Sequence, residues 1–465
     1  MRPEHQVSGL LQLAQRRWGR LTVAEQRVLV AVKTGTIAHC SPQGTCPQTP
    51  DPLVLVRAKV LEWLATDPQA LAHWTHRGLG VQGAWVAGIW DLAHATVAQG
   101  LSLQKCYFTD PLRFPGAWLK SLDLGGSRFA ALEGSHLHIA TDLGLEGVQC
   151  WGRWNLRLAR IGGDIRASRA QLDPQGIFAH GSPETQTNPQ SCPQSWASPP
   201  LPYDPSVLAL RGDNPPPHIP PSPAPSPDPP SPWVWIGSAM EVGGHVVLDQ
   251  GFQVGGPITW AGAWVRGSVV MQGGELRGRG TIALDGQGLT VGGDLRLHNG
   301  LAIQGRVCLA YAQIHHTLAL HHLEHPMGLH LDLQFARAGC LQDDRHSWPD
   351  RRNLRLQGFI YGSLSQESPH CSRLRTDWLR RMPHFVPQPY DHLAQVLRES
   401  GHDFAAQAII QAKWHDRLRH AQYQGHLNLL LRCYLWLHGS FRGLWSRMVS
   451  LGHSRLLSHG PRPPA

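Results

Sequence analysis

Histidine is the most concentrated chemically active residue type in one short stretch of this sequence. Six of the 28 histidines lie between residues 315 and 330. Neutral imidazole is the commonest nitrogen ligand for transition metals in proteins. The adjacent pairs His315–His316 and His321–His322 are therefore candidate metal ligands, because they flank a strand-like segment, 318–320, that would turn several rings outward. The alternative is a solvated, histidine-rich surface, since the whole chain is rich in histidine.

Redox chemistry would require an electron carrier, and the sequence carries no signature for one. The glycine pairs, such as Gly292-Gly293, lie between strand-like segments with no following helix whose N-terminus could hold a pyrophosphate. The nine cysteines form no Cys-x-x-Cys pair, and an odd, scattered set indicates reduced thiols in a cytosolic protein. We therefore predict no bound cofactor and no catalytic residue.

Tryptophan offers a second kind of chemistry, the stacking of rings on a flat ligand such as a sugar. In a repeat protein large rings also fill the interior and cover the corners, which is the interpretation that the sequence favours. The tryptophans concerned are Trp85, Trp90, Trp118, Trp151, Trp154, Trp260 and Trp264.

A repeated sequence motif predicts the fold that positions these side chains. Its clearest copy is Val291-Gly292-Gly293-Asp294-Leu295, in which a glycine pair precedes an alternating apolar strand. Successive strand starts are 10 to 13 residues apart from Leu101 to Ile165 and again from Val246 to Leu329, which suits half a coil of a parallel β-solenoid. Glycine at the corner is expected to supply positive φ. The predicted fold is therefore mainly β, with about eleven coils stacked at ~4.8 Å into a rod of roughly 50 Å.

Composition divides the chain into five segments. Residues 1–77 have helical spacing, with a capping box predicted at Thr22 and Glu25, and form a helical N-terminal cap. Residues 78–195 and 233–364 carry the two parts of the β-solenoid. Between them, residues 196–232 contain 15 prolines and predict a disordered, extended insertion. Residues 365–465 predict a helical hairpin followed by a basic amphipathic C-terminal helix.

Positive charge is concentrated in the C-terminal segment. The net charge is +9 overall, +8 over residues 371–465 and zero over residues 233–364. Residues 427–451 predict an amphipathic helix that docks on a partner protein or an anionic membrane surface rather than on nucleic acid, because its apolar face is rich in leucine and tryptophan. The docking residues would be Arg432, Trp436, Phe441, Arg442, Trp445 and Arg447.

Four further motifs carry a resemblance to a known family: Leu21-Thr22-Val23-Ala24-Glu25-Gln26, Leu122-Asp123-Leu124-Gly125-Gly126-Ser127, Ala159-Arg160-Ile161-Gly162-Gly163-Asp164 and Pro387-Gln388-Pro389-Tyr390-Asp391-His392. Through them the chain resembles a bacterial family of pentapeptide-repeat-like proteins often labelled membrane-associated oxidoreductases. That resemblance implies a right-handed β-solenoid with a helical tail. The expected function is a non-catalytic scaffold in the cytoplasm, bound to an unidentified protein and peripheral to the inner membrane. The alternatives are a membrane-associated redox protein, which the family label implies, and a polyanion-binding protein.

Overall fold

The computed structural model describes residues 4–42, 44–174, 233–324, 326 and 328–423. In this part of the chain there are seven helices and 36 strands, and the strands form a parallel β-solenoid of about ten turns. Two sheets, of 19 and 17 strands, run along the solenoid. The helices are α1 (Glu4–Trp18), α2 (Val23–Thr34), α3 (Ala58–Thr66), α4 (Pro68–Leu71), α5 (Ser372–Leu379), α6 (Pro387–Glu399) and α7 (Asp403–Tyr423).

Most strands before residue 175 are two residues long. They are β1 (Ile37–His39), β2 (Leu55–Arg57), β3 (Leu79–Gln82), β4 (Trp85–Ala87), β5 (Trp90–Asp91), β6 (Thr96–Val97), β7 (Leu101–Gln104), β8 (Tyr107–Phe108), β9 (Leu112–Arg113), β10 (Trp118–Leu119), β11 (Leu122–Asp123), β12 (Arg128–Phe129), β13 (Leu132–Glu133), β14 (His138–Ile139), β15 (Leu143–Gly144), β16 (Gln149–Cys150), β17 (Trp154–Asn155), β18 (Arg160–Ile161), β19 (Ile165–Arg166) and β20 (Gln171–Leu172).

Several strands after residue 232 are longer and continue around a bend. They are β21 (Trp235–Ile236), β22 (Glu241–Val242), β23 (Val246–Leu248), β24 (Gln253–Val254), β25 (Ile258–Thr259), β26 (Trp264–Val265), β27 (Val269–Gln272), β28 (Glu275–Asp285), β29 (Thr290–Val291), β30 (Leu295–His298), β31 (Ala302–Cys308), β32 (Gln313–His321), β33 (Leu329–Asp332), β34 (Arg337–Asp343), β35 (Leu354–Arg355) and β36 (Ile360–Leu364).

Each coil contributes to four parallel ladders, as β6 to β9 show. The next coil pairs β10 with β6, β11 with β7, β12 with β8 and β13 with β9. We number the ladders 1 to 4 in that order. Half a coil thus holds two short strands where the sequence predicted one. The period near 11 still marks the half-coil, because a buried aliphatic residue such as Leu101 or Leu112 recurs at each one.

The interior is one continuous apolar column. Leu101, Leu122, Leu143 and Ile165 are register partners in four successive coils of ladder 2, and all are buried. Alternate residues of a strand point to opposite sides, so most two-residue strands bury one side chain and leave the other at least partly exposed, whereas β25 buries both. A coil cannot bury its own apolar side alone, and stacking therefore makes the coils mutually dependent.

The same four ladders continue across residues 175–232. Trp154 pairs with Trp235 and Ile165 pairs with Val246, so the strands on either side of this segment are direct neighbours. The buried rings of Trp154, Trp235 and Trp260 stack edge to face at centroid distances of 5.0 and 5.1 Å. Both parts of the solenoid therefore share one core.

The glycine pairs at 162–163, 243–244 and 292–293 serve close backbone approach rather than the positive φ expected from the sequence. A Cβ at Gly243 would lie 2.1 Å from the carbonyl oxygen of Gly162 in the preceding coil, which no side chain could tolerate. The left-handed positions lie elsewhere, at turns, and non-glycine residues such as His136, Tyr311 and His322 occupy many of them. Only the absence of a side chain allows the coils to touch at the glycine pair.

At the N-terminal end, strand pairing begins before residue 78. β1 and β2 already pair with β3 and β4, so residues 1–77 are not wholly helical as predicted. The capping box is confirmed: Glu25 N donates to Thr22 Oγ1 at 3.1 Å, and Thr22 N donates to Glu25 Oε2 at 3.0 Å. Arg57 Nε also donates to the buried Glu25 carboxylate at 2.7 Å, which ties α2 to the start of α3.

At the C-terminal end, α5 is a helix that the sequence analysis missed, and it is fastened to the last coils by a buried ion pair. Arg375 donates two hydrogen bonds to the carboxylate of Asp343, at 2.8 and 2.7 Å. α6 then contacts β36, where Tyr361 N donates to His392 Nε2 at 2.9 Å. Among the described residues, no helix has the length and apolar character needed to cross a membrane.

Candidate functional site

Three successive coils bring histidine and aspartate side chains together where ladder 2 ends. His298 on β30 pairs in register with His321 on β32. Leu320 pairs with Asp343 on β34, which places Asp344 beside His321 in the following coil. His322 occupies the turn immediately after β32. We call His298, His321, His322 and Asp344 the histidine corner.

The ligand atoms of three members of the histidine corner, His321, His322 and Asp344, are close to one another. His321 Nδ1 lies 3.1 Å from His322 Nδ1. His321, His322 and Asp344 each offer one ligand atom, and these atoms lie within 4.8 Å of one another. The rings of His298 and His321 have centroids 5.1 Å apart. In the described part of the chain, no other three His, Cys, Asp or Glu residues form such a group.

A tight turn holds His322 in place. Its φ is 51°, in the left-handed region that residues other than glycine seldom adopt. Asp344 Oδ2 accepts a hydrogen bond from His322 N at 2.5 Å, and Asp344 Oδ1 accepts one from Ser347 N at 2.8 Å. Burial alone would raise the pKa of Asp344, but these two hydrogen bonds hold it below its usual value. Asp344 therefore stays ionised.

His298 is the most deeply buried member of the corner. Only 8% of its surface is exposed, and neither ring nitrogen makes a hydrogen bond to the described residues. Burial lowers the pKa of His298, and the proximity of His321 lowers it further, although the neighbouring Asn299 side chain tends to raise the pKa of the ring. Burial and the proximity of His322 lower the pKa of His321 in the same way. Both rings are therefore neutral at neutral pH, which is the form that binds metals.

The structure separates the four histidines predicted as metal ligands into two pairs. It brings His321 and His322 together but places His315 and His316 at a β-bulge nearer the start of β32, opposite Gly339. Both of the latter are exposed, and the described residues give them no part in a ligand group. His298 and Asp344 were missed. They lie 23 residues before and after His321, which is one coil in each direction.

A second feature is a concentration of exposed apolar side chains along ladder 1. The outward residues of this ladder, together with the turn residues two positions before them, form what we call the aromatic face. Between residues 78 and 364, the described solenoid exposes seven large apolar side chains, and Trp151 alone lies elsewhere. The six on the aromatic face are Trp118, Leu158, Trp264, Tyr311, Phe335 and Ile360.

Neighbouring coils stack their rings on this face. Trp118 lies flat against the ring of His138 at a centroid distance of 4.0 Å. Tyr311 and Phe335 stack at 5.2 Å in the same manner. A pocket of about 230 Å³ opens beside Trp118 and is bordered by Arg160 and Glu241, whose side chains lie 3.5 Å apart. The face thus combines apolar rings with a charged border.

The tryptophans considered as a stacking platform divide into two groups. Trp90, Trp154 and Trp260 are fully buried and fill the solenoid interior. Trp118, Trp151 and Trp264 are exposed, and Trp85 stacks on Tyr107 at 4.2 Å. No single surface therefore unites all seven. The predicted docking residues Arg432, Trp436, Phe441, Arg442, Trp445 and Arg447 lie outside the described residues.

Comparison with protein families, with curated proteins and with solved structures finds no match to this chain. The structure shows the parallel β-solenoid that the resemblance implies. The family itself, and the activity in its label, stay predictions.

Proposed function

We propose that this protein is a non-catalytic β-solenoid scaffold whose aromatic face binds another protein. The observation that carries this proposal is the uneven distribution of exposed apolar side chains: six of seven lie on ladder 1 and its preceding turns. Contiguous apolar surface bordered by polar residues marks interaction sites on soluble proteins, whereas scattered single residues do not. A repeat protein presents such a surface as an extended strip.

The make-up of the face suits a protein partner. Tryptophan and tyrosine dominate the energetics of protein interfaces, because they bury much area at a small cost in conformational entropy. Trp118 is 56% exposed although its ring is already ordered by stacking on His138. The pocket beside it is large enough for an apolar side chain of the partner. The ladder also fixes the spacing of the rings, so binding would cost little further conformational entropy.

The finer structural features of the expected family belong to the same proposal. We infer a right-handed winding of the coils, with α1–α4 covering one end and α5–α7 the other. The four short strands of each coil from β6 to β25 support a pentapeptide-repeat-like fold. The contacts of α2 with β1, β2 and β3, and of α6 with β36, support helical caps. A cytoplasmic location and peripheral attachment to the inner membrane through residues 427–451 stay predictions.

The test uses random-sequence peptides selected for binding to the full chain. The affinities of the selected peptides are then measured for Trp118→Ser, Trp264→Ser and the control Trp151→Ser, which removes an exposed tryptophan from the turn that follows β16. We expect the first two changes to weaken binding more than about tenfold, because truncating a central aromatic anchor costs ~2 kcal/mol or more. We expect Trp151→Ser to have little effect.

Two results would contradict the proposal. One is a set of selected peptides that bind all three variants as tightly as the parent chain. The other is purification of the protein with a stoichiometric redox chromophore, which would favour the enzyme instead. If sedimentation velocity shows self-association that Trp118→Ser abolishes, the aromatic face binds a second copy of this chain rather than another protein.

A further inference from the structure

The histidine corner is built from three coils and has no role in the proposed scaffold. We propose that it binds one divalent first-row transition-metal ion, of the zinc class, through His298, His321, His322 and Asp344. This set shares His321 and His322 with the four histidines suggested by sequence clustering, and the register of the coils adds His298 and Asp344 to that adjacent pair.

The spacing of the two adjacent rings suits a shared ion. Two nitrogens bound to zinc at ~2.0–2.1 Å in a tetrahedral arrangement lie about 3.3 Å apart. His321 Nδ1 and His322 Nδ1 are 3.1 Å apart. The Asp344 carboxylate lies close enough to both for one ligand atom of each residue to fall within 4.8 Å of the others. Small rotations of the side chains are therefore enough to complete three ligands.

His298 supplies the independent observation. A buried polar ring without a hydrogen-bond partner costs roughly 1–3 kcal/mol relative to one that is satisfied. His298 is in that position, and its ring lies tilted by 41° against the ring of His321, with the two centroids 5.1 Å apart. A metal ion in the corner would satisfy one of its nitrogens. Without an ion, the burial of an imidazole that has no hydrogen-bond partner is unfavourable.

The ligand types select the class of ion. Three imidazoles and one carboxylate match the nitrogen and oxygen sets that bind Zn²⁺, Ni²⁺ and Cu²⁺. Mg²⁺ and Ca²⁺ prefer sets made of oxygen. Asp344 keeps acceptor capacity for a metal, because a carboxylate offers about four lone pairs and the backbone hydrogen bonds from His322 and Ser347 use two of them.

Binding there would also strengthen the C-terminal end of the solenoid. The ligands come from β30, from β32 and the turn after it, and from the residue after β34, so one ion would join three successive coils. Asp344 follows Asp343, which is paired with Arg375 of α5. The ion would therefore resist the separation of the last coils and of the helix attached to them.

The test is a titration of the full chain, prepared without a polyhistidine tag, with Zn²⁺ in competition with a chromophoric chelator. We expect one equivalent to bind, thermal unfolding to shift to higher temperature, and Mg²⁺ to give neither effect. His298→Gln and His322→Asn should each weaken binding by at least about tenfold. Asparagine tolerates the left-handed backbone at residue 322, so this second variant keeps the fold.

The matched control is the double variant His315→Gln/His316→Gln, which removes another adjacent, exposed histidine pair from the same strand. It should keep the affinity of the parent chain. Co²⁺ should give the visible absorption of a four-coordinate ion in the parent and control chains but not in His322→Asn. The proposal is overturned if no equivalent binds, if His298→Gln and His322→Asn bind as tightly as the parent chain, or if only the control loses binding. The last result would instead assign the metal to the exposed pair at the bulge.

Discussion

The ion pair between Arg375 and Asp343 allows a sharp test of how the C-terminal helices are held. Both side chains are buried, with 0% and 3% of their surfaces exposed. Arg375 Nε also donates to the carbonyl oxygen of Pro369 at 2.7 Å, and the guanidinium packs over the rings of Trp348 and Trp378. We predict that Arg375→Met strongly destabilises this junction, because methionine fills much of the space but leaves the Asp343 carboxylate buried.

The magnitude follows from what remains around Asp343. Trp348 Nε1 still donates to Asp343 Oδ2 at 2.8 Å, so the carboxylate keeps one side-chain hydrogen bond but loses two. Removing one partner of a buried ion pair costs about 3–5 kcal/mol. Loss of the guanidinium over two rings adds to this cost, and the retained hydrogen bond reduces it. We therefore expect a loss of about 4 kcal/mol.

Hydrogen exchange followed by mass spectrometry is the suitable assay, because the end of a repeat protein can open without global unfolding. A loss of about 4 kcal/mol corresponds to roughly a thousandfold faster exchange in α5 and β34. Arg351→Ala is the matched control: Arg351 and Asp377 form an exposed pair at the same junction, with nitrogen and oxygen 3.5 Å apart. Such pairs contribute about 0–1 kcal/mol.

A second variant tests the cause as well as the size of the effect. In Arg375→Met/Asp343→Asn the buried group is neutral and still accepts the hydrogen bond from Trp348. We expect this double variant to exchange more slowly than Arg375→Met alone. If it does not, or if Arg375→Met exchanges no faster than Arg351→Ala, then an unpaired buried charge is not what destabilises the junction, and the reasoning is refuted.

Three further predictions concern the rest of the described chain. The free energy of unfolding should decrease as the pH falls below 6.5, because burial lowers the pKa of His392 from 6.5 and the unfolded chain therefore binds more protons than the folded one. Urea denaturation at several pH values should show a weaker dependence of this free energy on pH for His392→Gln than for the parent chain. Gly243→Ala should cost at least about 1–3 kcal/mol, since its Cβ would meet the carbonyl oxygen of Gly162; equal stability of this variant would show that the coils can separate locally. A thiol reagent should modify the exposed Cys371 of the native protein while sparing Cys106 and Cys150. Both of the latter are buried, and burial also raises their pKa values, that of Cys150 to about 12. Rapid labelling of Cys150 in the native protein would contradict its burial in the solenoid interior.

The fold could be predicted further than the candidate sites. The period near 11 and the repeated buried aliphatic residues predicted a parallel β-solenoid, because stacked coils must bury the same position in each repeat. The division of each half-coil into two strands could not be predicted, because the bend between the two strands leaves the spacing of the buried residues unchanged. The role of Gly243 was also hidden, because a glycine that permits close approach and one that supplies positive φ look identical in a sequence.

The histidine corner shows why adjacency along the chain finds only part of such a cluster, since it pointed to His321 and His322 but not to His298 and Asp344. Residues 315, 316, 321 and 322 are close along the chain, but a β-strand turns neighbours to opposite sides and carries them apart at about 3.3 Å per residue. Residues one coil apart are instead brought to adjacent strands ~4.8 Å apart. His298, His321 and Asp344 follow the 23-residue step, so a search for ligands at the coil period would have found them.

The ladder geometry also predicts that the two proposed sites act independently, although both use β32. This strand begins at Gln313, on the aromatic face, and ends at His321, in the histidine corner. Eight residues of extended chain, with one bend at the bulge, separate the two by roughly 20 Å. Changes more than 7–10 Å apart with no shared partners usually have additive effects. We therefore expect His322→Asn to abolish zinc binding without altering the affinity of peptides selected on the aromatic face, and Trp264→Ser to do the reverse. A change in both affinities from either substitution would show that the coils transmit strain along the strand, and the two surfaces would then have to be treated as one site.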